Sequence, residues 1–516
     1  MGARRPGARR IPASALLGGS PPVSARVLAL LITAALAVGL VGAVGVPPAA
    51  ASPPAASPPA ASPPAASPPA AATTAAATTA AATAGGAHVV PASALLAVPD
   101  AADPTLAART PPSPRVLELL RHGRGSDPAL RGMPPVALLA ALPALDDAEL
   151  RRLARTTPDL LHDLVRLPPT ASTVRAWWDA LAPDDRDGLA AAVPELVGNL
   201  EGLPVDVRDA ANRRHLAERG RHLHATARST PGRGAQQAIG RDLRLLAEVR
   251  AALEPGAGPD RALLALDTRW PGRAAVVTGD LQAAAYVDVV VPGMLYGVSE
   301  RLVDWTEVAA RLQDQQTRLL GGPGRAGGVA TIAWLGYRTP DLTGIGSLAL
   351  AEEGAVRLEA AIQGIRGMRP DAPPHVTVIA HSYGSTAALI ALSSGRASAD
   401  ALALVGSPGG VVRDVSELSV PADRVYVGEA PWDPVVGSSW FGTDPGSPGF
   451  GARPFGVRGT GAASGVSADG ALAGVAGHNG YFDRGTESFR NLALIGIDRP
   501  VLDAVATDAS GREGPR

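Results

Sequence analysis

Ser382 stands in the run Val376-Thr-Val-Ile-Ala-His-Ser-Tyr-Gly-Ser, with Ala380 just upstream and Gly384 just downstream. A β-branched apolar run that ends in a serine between small residues, followed by the apolar helical stretch Ala387 to Leu392, is the pattern of a strand-to-helix turn presenting a nucleophile. The flanks must be small because strand and helix pass close together there. A serine hydroxyl attacks only when a base takes its proton, and the base needs an acid to orient it, here in the chain order Ser, Asp or Glu, His. Of the 9 histidines only His478 follows Ser382, in Gly-His-Asn-Gly-Tyr-Phe. Between them Arg424-Val-Tyr-Val-Gly-Glu-Ala-Pro-Trp-Asp-Pro supplies two carboxylates. Asp433, in a turn-forming Asp-Pro pair that can aim it at the imidazole, is preferred; Glu429 is the runner-up and Asp444 comes third. His381 adjoins the serine, but neighbouring side chains on a strand point apart, so it reads as packing, and His375 lies at the far end of the strand.

Acyl chemistry also needs donors for a developing oxyanion. The helix after Ser382 turns its free amides toward the site, which nominates the Tyr383 N–H. A second donor is expected from the loop after Val289-Val-Val-Pro-Gly-Met, where Gly293 lets the backbone approach closely and the Gly293 or Met294 amide would donate. Gly336, Tyr337 and Arg338 are expected at the pocket rim. The Gly-rich segment Trp440 to Ala476 is long enough to cover the site, with Phe441, Phe450 and Phe455 lining an apolar acyl pocket. No metal triad or nucleotide-binding fingerprint is present; Gly321-Gly-Pro-Gly-Arg-Ala-Gly-Gly has the wrong spacing and precedes a strand.

Such residues must be held at the ends of strands. Short continuous apolar runs occur at Leu263 to Leu266, Ala275 to Thr278, Val287 to Val291, Val329 to Trp334, Val376 to Ala380, Ala401 to Val405 and Val425 to Val427. Runs without alternation belong to strands buried on both faces, and helical stretches such as Ser299 to Leu320 and Ala351 to Ile365 separate the later ones. The expectation is a mostly parallel, doubly covered sheet over residues 256–507, with function at the carboxyl ends of its strands. Residues 101–255 read as a helical region, since apolar positions between Pro114 and Glu254 recur at helical spacing. Trp177 and Trp178 read as anchors of its core or of an interdomain contact, and Asn212 and Arg213 are read the same way.

Composition removes other chemistries. The chain of 516 residues has no Cys, which excludes disulfides, thiolate metal sites and a cysteine nucleophile. All 47 basic residues are Arg, so Lys-based Schiff bases and P-loops are absent. A net charge of −1 gives no global field for nucleic acid. Arg4, Arg5, Arg9, Arg10 and Arg26 precede an uncharged apolar run over 27–46, the layout of a signal peptide (residues 1–46) or of an uncleaved anchor with the C-terminus outside. A small-residue cleavage site is available at Ala49 to Ala51. The Ser-Pro-Pro-Ala-Ala repeats within 47–100 cannot bury a core and read as a disordered spacer; residues 508–516 read as a flexible tail.

Taken as a set, Pro-Gly-Met, Ala-Trp-Leu-Gly-Tyr, Ala-His-Ser-Tyr-Gly-Ser, Val-Gly-Ser-Pro-Gly and Gly-His-Asn-Gly-Tyr-Phe resemble an actinobacterial α/β-hydrolase family catalogued as a domain of unknown function. The likeness runs from about Ser172 to Leu502 and includes the helical segment around Trp177, Trp178, Asn212 and Arg213. Ala380 replaces the family's usual glycine, as it does in small lipases. The resemblance implies the α/β-hydrolase fold, no cofactor, and a triad of Ser382, Asp433 and His478. The function expected is an extracytoplasmic serine hydrolase of carboxylic esters, its substrate a small-molecule or lipid-like ester, held at the cell membrane by the N-terminal helix or secreted. Acyl transfer, peptidase or thioesterase action on the same residues is the alternative, as is a non-catalytic envelope scaffold that binds a partner through its helical region.

Overall fold

A computed structural model describes residues 112–122, 127–230, 232–254, 259–322, 328–341, 344–460 and 471–502. The expected signal or anchor segment with its apolar run 27–46, the spacer over 47–100 and the tail over 508–516 lie outside these. No helix among the described residues is long and apolar enough to cross a membrane.

The first half of the described chain is helical: α1 Pro114–His122, α2 Pro128–Arg131, α3 Pro135–Ala141, α4 Asp147–Thr156, α5 Pro158–Arg166, α6 Ala171–Ala180, α7 Pro183–Ala192, α8 Pro194–Val197, α9 Val205–Ser229 and α10 Arg233–Ala252. Proline opens many of these helices at a position where its missing N–H costs nothing. Helix α4 begins with a reciprocal capping box between Asp146 and Glu149. The short helices enclose a leucine-rich core that includes Trp177 and Trp178, each 3% exposed.

An eight-stranded sheet follows: β1 Arg261–Asp267, β2 Arg273–Thr278, β3 Tyr286–Val291, β4 Val329–Leu335, β5 His375–His381, β6 Ala401–Val405, β7 Val425–Gly428 and β8 Arg453–Pro454, in the order β1-β2-β4-β3-β5-β6-β7-β8. Strand β2 is antiparallel to both β1 and β4, and all pairs from β4 to β8 are parallel. Parallel neighbours need crossover helices. These are α11 Val298–Leu319, α12 Ala349–Gly367 and α13 Tyr383–Ser393; α14 Glu487–Gly496 closes the fold.

Alternate strand residues enter two separate cores. Val287, Val289 and Val291 pack with α12 and α13, while Val290, Ala333 and Ile379 pack with α10, α11 and α14. Both faces are therefore apolar, which is why the strand sequences run continuously hydrophobic. Strand β3 lies between β4 and β5, so successive crossovers diverge at its carboxyl end and open a crevice there.

The free edge of β1 is capped by side chains of the helical region. Asn199 pairs with both backbone groups of Leu266, the Asn212 Nδ2 donates to the Leu263 carbonyl at 2.9 Å, and the Asp209 carboxylate accepts from the Leu263 amide at 2.7 Å. Arg208 and Arg213 donate to the carbonyls of Leu264 and Arg261. These contacts satisfy an edge that would otherwise invite another strand. Asn212, fully buried, thus joins the helical region to the sheet, whereas the Arg213 side chain stays 43% exposed.

Two sequence expectations need correction. Strand β8 lies inside the Gly-rich segment Trp440 to Ala476, where no strand was expected; only two residues long and ending in Pro454, it leaves no apolar run to detect. Phe450 and Phe455, expected to line an acyl pocket, are 0% and 2% exposed and belong to the two cores on opposite faces of the sheet. Their burial follows from chain economy: in a segment otherwise rich in glycine they are the groups with most apolar surface to hide. Phe441 packs edge-on against Tyr383, ring centroids 5.4 Å apart.

Candidate active site

Ser382 sits between β5 and α13 with φ 54° and ψ −130°, a backbone conformation that a non-glycine residue adopts only under strain. The turn is held from several sides. The Ser382 amide donates to the Val405 carbonyl at 3.0 Å, and the Ser385 hydroxyl bridges the Ser382 carbonyl and the Ser407 hydroxyl. A Cβ on Gly384 would lie 2.4 Å from the Pro292 carbonyl oxygen, so the small residue after the serine is a steric requirement.

His478 comes to Ser382 from a loop before α14. Its Nε2 is 2.9 Å from the Ser382 Oγ, and its Nδ1 is 2.9 Å from each oxygen of Asp433. An ionised carboxylate only accepts, so Nδ1 carries the proton and Nε2 is left free to receive one from the serine. All three residues are buried, at 5%, 5% and 7% exposure for Ser382, Asp433 and His478. Burial raises the Asp433 carboxyl pKa, yet the His478 contact, the Val435 amide at 2.9 Å and the Tyr481 hydroxyl at 2.7 Å together outweigh it and hold the carboxyl below its ordinary value.

The competing acids are elsewhere. Glu429 pairs with Asp444, and burial, then the Asp444 charge, push it up to about 7; neither residue bonds to His478. His381 turns away from the serine: its Nε2 donates to the His478 carbonyl at 2.9 Å, and burial, with His478 nearby, drives its pKa down to about 3. It is thus a neutral prop beneath the histidine loop. His375 stays at the start of β5, its ring against Tyr286.

The loop after β3 closes over the serine. A Cβ on Gly293 would fall 2.6 Å from Ser382 Cβ and 3.1 Å from its Oγ, so only glycine leaves room for a reacting group. Among the described residues the Gly293 and Met294 amides have no recorded protein acceptor, and Tyr383, as first residue of α13, has no intrahelical one. Met294 packs with Val435 and Ile345. Tyr337, expected at the rim, is buried, stacks on Trp334 and Tyr383, and donates its hydroxyl to the Pro292 carbonyl at 2.7 Å, bracing this loop from behind; Arg338 is exposed.

Sequence reasoning missed two supports. Tyr481 bonds Asp433 and accepts from the Ala430 amide; it lies within the Gly-His-Asn-Gly-Tyr-Phe motif, which was the available signal. Gly406, with φ 58°, lies beneath the pair, where a Cβ would meet Asp433 Oδ2 and His478 Cε1 at 3.0 Å each. Away from this site His162, Glu195 and Asp267 bring donor atoms within 4.8 Å of one another, but Arg273 already pairs with Asp267 and Arg269 with Glu195, so the cluster is an ionic seam between helices and sheet.

A mostly parallel sheet covered on both faces, with a strained serine after its central strand and a histidine arriving from a later loop, defines the α/β-hydrolase class. The chain belongs to the alpha/beta hydrolase family: that family's model matches residues 267–442, and an uncharacterized protein of Mycobacterium bovis is 32% identical over 192 residues, 36% of this chain and 72% of the relative. An uncharacterized protein of Mycobacterium tuberculosis is 29% identical over 418 residues, 70% of this chain; the chain spans 61% of that relative's length. Among solved structures, a fungal esterase of Rhizomucor miehei is similar at 11% identity and a TM-score of 0.24, over 42% of this chain and 79% of that one.

Proposed function

We propose that this chain is a serine hydrolase of carboxylic esters that works through an acyl-enzyme outside the cytoplasmic membrane. The observation that carries the reading is the unbroken relay of 2.9 Å contacts from Ser382 through His478 to Asp433. His478 Nε2 takes the Ser382 proton as Oγ attacks the acyl carbon. Asp433 keeps the imidazole in the right tautomer and stabilises its positive charge. The tetrahedral oxyanion is met by the Tyr383 amide and by that of Gly293 or Met294. The protonated His478 then hands its proton to the leaving alkoxide, the carbon–oxygen bond breaks, and an acyl-Ser382 remains. Water, deprotonated by His478, attacks this ester, and the acid leaves as Oγ recovers its proton. The extracytoplasmic setting is supported by the Arg-flanked apolar run over 27–46 and the spacer that follows it.

Turnover of a short-chain nitrophenyl ester by the wild-type chain and by His478→Ala tests the assignment. The variant is expected to lose at least about a thousandfold in kcat/KM. Retained turnover would remove His478 from the mechanism.

A further inference from the structure

The α9–α10 hairpin projects beyond the edge of the sheet that carries the site. Strand β1 is antiparallel to β2, which is antiparallel to β4, so β1 points the same way as the strands bearing Ser382 and Asp433. The last turn of α10 lies at the start of β1, where Arg261 donates to the Ala252 carbonyl at 3.0 Å. Further back along the helix, Leu245 touches Gly272 and the Arg241 guanidinium lies 4.7 Å from the Trp270 ring, in the turn after β1. The turns of α10 from Arg233 to Gly240 therefore continue past that turn on the catalytic side, reaching about 12 Å beyond it at Arg233.

The hairpin is basic from its tip inward. Arg228 and Arg233 stand on the overhang, Arg241 at its base and Arg221 and Arg244 further back; all are exposed, with no ion-pair partner among the described residues, and His222 and His224 are exposed along the same helices. Between residues 221 and 244 the one acid is Asp242, which pairs with Arg219 at 3.1 Å. In a chain of net charge −1 this is a local concentration of positive charge.

Exposed apolar groups share the same edge. Of the large hydrophobic side chains exposed on the described surface, Trp270 (44%), Leu295 (38%), Val411 (51%) and Trp432 (86%) follow the carboxyl ends of β1, β3, β6 and β7; the fifth is Leu502. Leu295 adjoins Met294 in the loop over Ser382, and Trp432 adjoins Asp433. Leu295 is held at φ 62°, a strained backbone for a leucine, with its amide bonded to the Pro340 carbonyl at 3.1 Å.

Resting on the ester-hydrolase reading, we propose that this edge docks on an anionic lipid surface: the arginine-tipped α9–α10 hairpin holds the headgroups, Trp432 and Leu295 enter the interface, and the acyl ester reaches Ser382 from the lipid. Arginines for anionic headgroups beside tryptophan at the level of the acyl boundary is the combination such surfaces select. A soluble polyanion would engage the arginines but gives no role to a tryptophan that is 86% exposed.

The test uses the full chain, an Arg221→Glu/Arg228→Glu/Arg233→Glu variant and Trp432→Phe. Each is mixed with vesicles of brominated phosphatidylcholine, with or without phosphatidylglycerol. The fluorescence lost in Trp432→Phe relative to wild type reports Trp432, and any binding by the apolar run over 27–46 and the arginines before it is common to the wild type and the arginine variant. Expected is quenching of that signal only with phosphatidylglycerol, at least about a tenfold weaker vesicle response in the arginine variant, and unchanged turnover of a soluble ester by that variant. Equal quenching with both lipids, or a response untouched by the arginine changes, would overturn the proposal. Competition by soluble polyphosphate without Trp432 quenching would assign the hairpin to a dissolved polyanion instead. Vesicle docking by a wild-type chain inert toward every soluble and vesicle-borne ester would sink the hydrolase reading while leaving the docking intact.

Discussion

Asp433 receives donors from His478, Val435 and Tyr481, and this crowd separates it from Glu429 on the same strand end. Its carboxyl is held below the ordinary value, so its contribution to stability is fully present above about pH 4 and fades as pH falls through the depressed value. Tyr481→Phe removes one donor from Asp433 and the acceptor of the Ala430 amide. We expect kcat to fall about tenfold with KM little changed, and acid unfolding to begin at higher pH, checked by ester kinetics and by circular dichroism against pH. Gly293→Ala places a methyl where the substrate's carbonyl must sit, within 3.1 Å of Oγ. The expected loss is at least about a hundredfold in kcat, with a lowered melting temperature because the same methyl would sit 2.6 Å from Ser382 Cβ, measured on the same ester and by thermal unfolding. The sequence carried the serine and histidine because a strand, a small-residue turn and a helix are local patterns, and because His478 alone follows Ser382. It ranked Asp433 above Glu429 on its turn setting alone, since the deciding fact is which side chain packs against Tyr481 and His478, a contact between segments far apart in the chain.

Strand β3 carries a carboxylate in its core face. Asp288 is fully buried against α11 and α14 with a hydrogen bond from Gln316, and burial lifts its pKa to about 7. A raised acid is protonated in the fold while still ionised in the unfolded chain, so it stabilises below about pH 4 and that stability is lost as pH climbs through 7. Asp288→Asn keeps a neutral group in the same shape; it should be more stable than wild type at pH 9, on the order of 4 kcal/mol, with the gap shrinking to under half of that at pH 5. Urea unfolding at the two pH values measures this. The edge of β1 makes a second prediction. Asn212→Ala leaves the Leu263 and Gly198 carbonyls without their donor and should cost about 2–3 kcal/mol in urea unfolding. At this scale the continuous Val, Ile, Leu and Ala runs made the buried strands legible. Strand β8 was not legible, because two residues have no periodicity, and the fate of Phe450 and Phe455 depended on which sheet face each met.

Across the whole molecule one edge gathers what the chain can do. The strained serine, the loop over it, the histidine and its acid, the exposed Trp432 and the arginine-tipped hairpin all lie past the carboxyl ends of the strands, where the divergence of crossovers at β3 opens the sheet. The helical region caps the β1 edge and lifts a basic hairpin to the level of the site. The helices themselves were readable from their spacing; the projection of their tip was not, because it depends on the packing of α10 against α11 and the β1–β2 turn. Whether Ser382 is an activated nucleophile is decided by reaction of the full chain with a fluorophosphonate, followed by mass spectrometry of its peptides. One phosphonyl adduct is expected, on Ser382, that disappears in Ser382→Ala and is strongly slowed in His478→Ala. A folded wild-type chain that stays unmodified, or carries its adduct on another residue, would contradict that role for Ser382.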